Sequence, residues 1–236
     1  MIAPFEPIPA HAVACFDMAR SRYEVFAAWN LVYRVYLASG FINESARRLH
    51  AAPQMFSERA RVFLKHVRGL PRATVSAVLD GPRGLPMDDC YGRELDALRA
   101  RGRRMFEVAH FADAGQLPGQ EPDRAGVASS LETLTGLAFQ FGRAAGCDDL
   151  IIGVHPRHAR FYERAWGFEQ EGEPSTCSAV RHRPVTLLRL DWRAALAQPT
   201  PPRMLKAAVQ QALDASYFDT DAFVTASPAE LDAVAA

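Results

Sequence analysis

The sequence predicts a mixed α/β fold: a central twisted sheet of mixed strand direction, flanked by helices. Three observations point there. Two runs rich in β-branched residues, VFLKHV (62–67) and TVSAVL (74–79), stand on either side of GLPR, which is the pattern of an antiparallel hairpin. A strand, a long amphipathic helix and a short, wholly apolar run (149–154) then follow one another. A strand–crossover–strand unit places its two strands parallel, and the continuous apolarity of the second fits burial on both faces. A last strand-like run, PVTLLRLDW (184–192), closes the series.

The bulk numbers agree. The 236 residues are 49% apolar and 23% charged, the profile of a globular chain able to bury a core without disulfide staples. Formal net charge is zero, so no global field draws the chain to nucleic acid or to an anionic membrane. Cys15, Cys90, Cys147 and Cys177 are scattered, with no C-x-x-C pair or metal-ligand spacing, so reduced thiols and no metal site are expected. The N-terminus lacks the pattern of a secretory signal, and no apolar run has the length to span a bilayer. A cytoplasmic location is therefore expected.

Element by element, residues 1 to about 20 carry three prolines in the first ten and are read as a surface arm. From Arg22 to Ala38 one apolar stripe of Val25, Trp29, Val32 and Tyr36 predicts a helix, stopped at Gly40. Residues 43–56 form a polar connection. After the hairpin, residues 81–89 are a loop and 94–100 a short helix. RMFEVAHFAD (104–113) is the central strand, followed by a turn-rich loop over 114–123. The long helix places Val127, Leu131, Leu134, Ala138, Phe141 and Ala145 on one stripe and ends at Gly146. RHARFYERAW is the next helix. After Trp192, QPTPPR (198–203) reads as a linker, so the chain divides into a domain over 1–192 and a helical extension over 193–236. Leu205, Val209 and Leu213 share one face of the extension, and a capping box at Ser227–Glu230 opens a last short helix.

Three segments carry a family likeness: YRVYLASGF (33–41), FEVAHFAD (106–113) and HPRHARFYERAWGFE (155–169). In their order and spacing, over roughly residues 25 to 192, the chain resembles the GNAT-type acyltransferase fold. Within that fold it resembles the long-chain N-acyl amino acid synthases, relatives of the acyl-homoserine-lactone autoinducer synthases. The resemblance implies an N-acyltransferase that moves a medium or long acyl chain to the α-amine of an amino acid. One departure is clear: where the family strand has an arginine three residues after its glutamate, this chain has His110.

Coenzyme A-dependent members of this fold hold the diphosphate on backbone N–H groups of a glycine-rich turn at a helix N-terminus. Between Asp113 and the long helix only residues 116–121 and 124–126 come near that pattern. The first has Glu121 at the closing position followed by Pro122, and the second has the wrong spacing. A 4′-phosphopantetheine thioester on an acyl carrier protein has one bridging phosphate and no nucleotide, so it does not need the full cradle. The resemblance implies the same donor, with acyl-CoA as the alternative and no tightly bound cofactor. A carrier protein is acidic, and two basic clusters are placed to dock it: Arg99, Arg101, Arg103 and Arg104 before the central strand, and Arg157, Arg160 and Arg164 on one helical face. Ordinary solvated faces are the other reading of both.

Glu107 is the candidate general base, a carboxyl among apolar strand residues, where burial raises its pKa. The alternative is a structural pair with an arginine such as Arg34. Strict alternation puts Glu107 on one face with Met105, Ala109 and Phe111 and sends His110 to the other, unless a β-bulge intervenes. Tyr162 stands where coenzyme A-dependent members of the fold keep a tyrosine able to protonate the leaving thiolate; the simpler reading is a core aromatic of the closing helix. Arg34 fits the acceptor carboxylate or a helix-anchoring ion pair, and His110 fits the acceptor pocket or the core. Phe111, Phe139, Leu150 and Ile152 are candidates for the acyl slot, and each is also ordinary core. A homoserine-lactone synthase, a coenzyme A-dependent acetyltransferase and a non-catalytic carrier-binding sensor are the competing readings.

Overall fold

The computed structural model describes residues 14–120 and 123–220. One mixed sheet runs through the molecule in the order β1 (Ala14–Met18), β2 (Ala60–Val67), β3 (Leu70–Leu79), β4 (Met105–Asp113), β5 (Asp149–Val154), β8 (Arg183–Asp191), β6 (Glu169–Gln170), with β7 (Ser175–Cys177) also on β8. Among the described residues only β4 and β5 pair in parallel, joined by the crossover helix α3 (Arg124–Ala144); the other neighbours there are antiparallel.

Two apolar layers sandwich the sheet. On one face α1 (Arg22–Ala38) and α2 (Asp88–Ala100) bring Val25, Trp29, Leu95 and Leu98 onto Val62, Leu64, Met105, Ile151 and Leu187. On the other, α3 and α4 (Pro156–Trp166) cover Phe106, Val108, Leu150 and Ile152 with Leu134, Ala138, Phe139 and Trp166. The sorting of Met105 and Glu107 against Phe106 and Val108 is the period-2 alternation of a strand buried on both faces. Ser21 and Glu24 form a capping box that starts α1.

Several expectations are corrected. The N-terminal stretch is not all surface arm, since Ala14–Met18 pairs with β2 as an edge strand. Its mixed composition gives no alternation to read, because an edge strand is recruited through backbone ladder bonds. The hairpin turn is Arg68–Gly69, not GLPR. Both residues have positive φ (54° and 73°), the type I′ geometry that matches strand twist, and β3 starts at Leu70. The helix expected at 94–100 begins at Asp88, with a break at Tyr91 (φ −138°, ψ 31°). Cys90 and Cys177 are joined in a disulfide with Cα atoms 5.5 Å apart, so two of the four cysteines are not free thiols.

The segment after β8 packs into the main core. Helices α5 (Trp192–Leu196) and α6 (Arg203–Gln210) follow, and Met204, Leu205, Ala208 and Phe218 are buried in the same cluster as Phe139 and Trp166. The capping box at Ser227–Glu230 lies outside the described residues. Asp149, fully buried at the start of β5, accepts both Nε and Nη2 of Arg103 at 2.6 Å and Nε of Arg189 at 3.0 Å; Arg103 also reaches Asp191 at 2.7 Å. This network pins the closed end of the β4–β5 pair.

Candidate active site

The parallel ladder is short. Met105, Phe106 and Glu107 pair with Asp149, Leu150 and Ile151, and there it stops. From Val108 onward β4 pairs only with β3, while β5 continues against β8 as far as Val154. The two central strands therefore diverge into a cleft. Along β4, Met105–Val108 and Ala112–Asp113 are buried, whereas Ala109, His110 and Phe111 form a half-buried window. On the far wall Gly153 is exposed. A Cβ there would fall 2.3 Å from Sδ of Met87, so the methionine side chain packs directly on the backbone of β5 at this glycine.

A bulge shapes the window. Thr74 pairs with Ala112 and Ser76 with Ala109, so His110 and Phe111 together oppose Val75. His110 takes a left-handed φ of 58°. The strict-alternation expectation is corrected accordingly: His110 contacts Tyr36 of α1 on the face that holds Glu107, and Phe111 packs with the α3 cluster on the other. A bulge inserts one residue and so flips every later side chain.

Glu107 is 2% exposed. Its Oε2 accepts the backbone N–H of Met87 at 2.9 Å. Burial, with Asp88 and Asp89 nearby, raises its pKa to about 8 against that hydrogen bond. The bond to Met87, rather than one to Arg34, is the polar contact found for this carboxylate.

Beyond Glu107 lies a ring cluster that sequence reasoning did not assemble. His50 stacks on His110 with centroids 4.8 Å apart and planes at 34°. Tyr36 meets His50 at 5.3 Å, His110 at 6.0 Å and Phe41 at 5.6 Å. Burial lowers His50 to about 4 and holds His110 well below the usual histidine range, so both are neutral near pH 7; His110 Nδ1 is buried without a hydrogen-bond partner. Tyr162, on α4, is near enough to push the pKa of Tyr36 up further, and its own is raised by burial to about 12. The cluster thus spans the cleft from the β4 bulge to the helix after β5. His50 carried no signal because its connection has no periodicity, and Tyr36 read as one more member of an apolar stripe.

The remaining predicted residues fall as follows. Arg34 lies partly buried on α1; burial lowers the pKa of Arg72 on β3, Asp113 acts on it in the opposite sense, and Arg34 adds to the lowering. Phe111, Phe139, Leu150 and Ile152 lie in one apolar cluster, of which Phe139 and Leu150 are fully covered. None of the four lines the open space nearby in sequence, a mainly apolar cavity of about 390 Å³ between Gly115–Gln116, the start of α3 (Asp123, Arg124, Val127, Leu131) and Phe161 of α4. Of the basic residues, Arg99 is held by Asp80, Asp88 and Asp96, and Arg103 by Asp149 and Asp191. Arg104 donates to the carbonyl of Ala145. Arg101, Arg157, Arg160 and Arg164 are exposed, the last three around Phe161, itself 41% exposed. His155 caps α4, its Nδ1 accepting Arg157 N–H at 3.2 Å.

At the N-terminus of α3, where a diphosphate would meet helix N–H groups, Asp123 caps the helix itself: its Oδ1 accepts the N–H of Gly126 at 2.7 Å. A side-chain carboxylate already satisfies that donor and places negative charge there.

Comparison with known proteins agrees with this architecture. The family model described as N-acyl amino acid synthase FeeM matches residues 27–191. The solved structure of FeeM, an N-acyl amino acid synthase from uncultured soil microbes, superposes with a TM-score of 0.66 at 27% identity, covering 80% of this chain and 98% of that one. The homoserine-lactone synthase LasI superposes with a TM-score of 0.55 at 14% identity, covering 81% and 97%, which bears on the fold alone. No curated protein sequence matches the chain significantly. With a divergent β4–β5 pair, a bulged central strand and a family match over most of its length, the chain belongs to the FeeM N-acyl amino acid synthase family and is an N-acyltransferase of the GNAT-type fold.

Proposed function

We propose that the enzyme transfers a medium or long acyl chain from the phosphopantetheine thioester of an acyl carrier protein to the α-amine of an amino acid. The observation that carries the donor assignment is the Asp123 cap. A nucleotide diphosphate at the start of α3 would displace or repel that carboxylate, whereas a pantetheine arm can pass beside it. The cavity lined by Val127, Leu131 and Phe161 suits an acyl or pantetheine chain, and the apolar cluster of Phe111, Phe139, Leu150 and Ile152 is the proposed seat of the acyl tail. The exposed arginines around Phe161, Arg157, Arg160 and Arg164, together with Arg101, suit an acidic carrier; the internal pairing of Arg99 and Arg103 argues against those two as docking cations.

The acceptor belongs on the α1 side of the bulge. Arg34, with Arg72 nearby, offers guanidinium donors for a carboxylate. His110 lines the pocket for the amine. Aminolysis needs a group to take the amine's proton, donors for the oxyanion and a proton for the departing thiolate. Glu107 is the carboxyl nearest in sequence to the window; with its pKa raised by burial to about 8 it can take that proton only at alkaline pH, where it is ionised. The unladdered edge of β4 beyond Glu107 supplies backbone N–H groups to the thioester carbonyl. Tyr162 keeps its proton through the physiological range and is the donor to the thiolate.

A donor comparison tests this. The protein is incubated with an equimolar amino acid mixture and either palmitoyl acyl carrier protein or acetyl-CoA, and the products are read by mass spectrometry. An N-acyl amino acid formed from the carrier alone is expected and names the acceptor. An acetylated product would make coenzyme A the donor. Tight carrier binding with no product would favour a sensor.

A further inference from the structure

We infer that His110 is the base that takes the acceptor's proton at neutral pH, and that His50 holds it in place. The inference rests on the acyl-transfer reading above and adds a residue that the resemblance does not supply, because the matching position in the family strand is an arginine.

The bulge turns His110 onto the face that carries Glu107 and places it in the one half-buried stretch of β4, three residues past the end of the parallel ladder. A non-glycine residue at φ 58° is uncommon, and here it accompanies the bulge that sets the imidazole on the α1 face against Tyr36 and His50. Nδ1 is buried and has no hydrogen-bond partner, a costly arrangement for a residue serving only as packing. Rings fix the imidazole on two sides: His50 stacked at 4.8 Å and Tyr36 edge-on at 6.0 Å.

The charge states follow the same division. The titratable groups packed on His110 are His50, which also acts on its charge, and Tyr36, on which Tyr162 acts from α4; Glu107 lies three residues back along β4. Near pH 7 Glu107 largely retains its own proton, while His110 is an unprotonated imidazole. A group that holds its own proton at the working pH cannot take the amine's, whereas an unprotonated imidazole can.

The step balances. The neutral acceptor amine attacks the thioester carbonyl carbon, the C–N bond forms, and the carbonyl π pair moves onto oxygen. The nitrogen, now positively charged and strongly acidic, gives its proton to His110. The oxyanion collapses, the C–S bond breaks with its electron pair on sulfur, and the thiolate takes a proton from Tyr162. His110 releases its proton to solvent through the window, and Tyr162 regains one. The net change is amine plus thioester to amide plus thiol.

The test uses the full chain with palmitoyl carrier protein and the acceptor identified by the donor comparison. His110→Asn tolerates the left-handed backbone and removes the base. The expected result is a fall in kcat of roughly 10²–10⁴-fold at pH 7, with KM changed far less and part of the rate restored by added imidazole, a rescue that a packing defect would not show. His50→Asn should move the acid limb of the kcat/KM profile to higher pH, because His50 helps hold His110 neutral. In parallel, ¹⁵N NMR of histidine-labelled wild-type protein should find His110 unprotonated at pH 7, a readout independent of whether the variant folds. Overturning results are a protonated His110 at pH 7, or a His110→Asn enzyme that keeps wild-type kcat. If wild-type protein makes no acylated product from either donor, the acyl-transfer reading falls and takes this one with it. If wild type is active and only the variant prediction fails, this inference alone is wrong.

Discussion

The backbone N–H of Met87 donates to Oε2 of Glu107 at 2.9 Å, tying the residue that leads into α2 to the middle of the central strand. The bond fixes the carboxyl beside the cleft, and burial raises its pKa to about 8 from an ordinary 4.5. A carboxyl with a raised folded pKa favours the native state below its unfolded pKa, and that contribution is lost as pH rises toward the folded one. Wild-type stability should therefore decline between about pH 4.5 and 8. Glu107→Gln, which still offers Met87 an acceptor, should flatten that decline, at about 1.4 kcal/mol per unit of pKa separation removed. Tm measured across that range in both proteins checks this.

The two histidines act in the opposite sense. Their folded pKa values lie below the usual 6.5, His50 at about 4, so the unfolded chain binds protons that the native protein refuses. Stability should fall as pH drops from 6.5 toward 4. Denaturant midpoints of the His50→Asn, His110→Asn double variant should be less acid-sensitive than wild type over this window.

Asp149 is fully buried and accepts bonds from Arg103 and Arg189. Asp149→Ala removes the shared counter-charge from two partly buried guanidiniums and should cost about 3–5 kcal/mol in urea unfolding. The same charges make Arg103 a poor choice for carrier docking.

The Cys90–Cys177 bond closes an 87-residue separation between α2 and β7. Replacing both by serine should cost about 2–4 kcal/mol and lower Tm. Thiol titration of denatured, unreduced protein should count two free cysteines, Cys15 and Cys147.

Leu205 is fully buried where α6 meets the α3–α4 layer. Leu205→Ala should cost about 2–5 kcal/mol and shift a single unfolding transition. A separate low-temperature transition would instead mark the extension as its own unit.

The sequence alone determined the order of the central elements, the hairpin, the parallel β4–β5 crossover and the amphipathic helices. Each of these is written in a short-range period of apolar residues, and burial of that stripe is what drives the element to form. Glu107 was legible for the same reason, as a carboxyl inside an apolar strand. Only the tertiary structure decided the rest. The bulge that turns His110 toward Glu107 depends on a register shift against β3. The meeting of Tyr36, His50, His110 and Tyr162 joins four separate stretches of chain. The choice of Asp80 as a partner for Arg99, and of Cys177 for Cys90, rests on proximity between separate elements. Local periodicity sets which face of an element is apolar; which polar groups meet is fixed by packing between distant segments, and no local pattern records that.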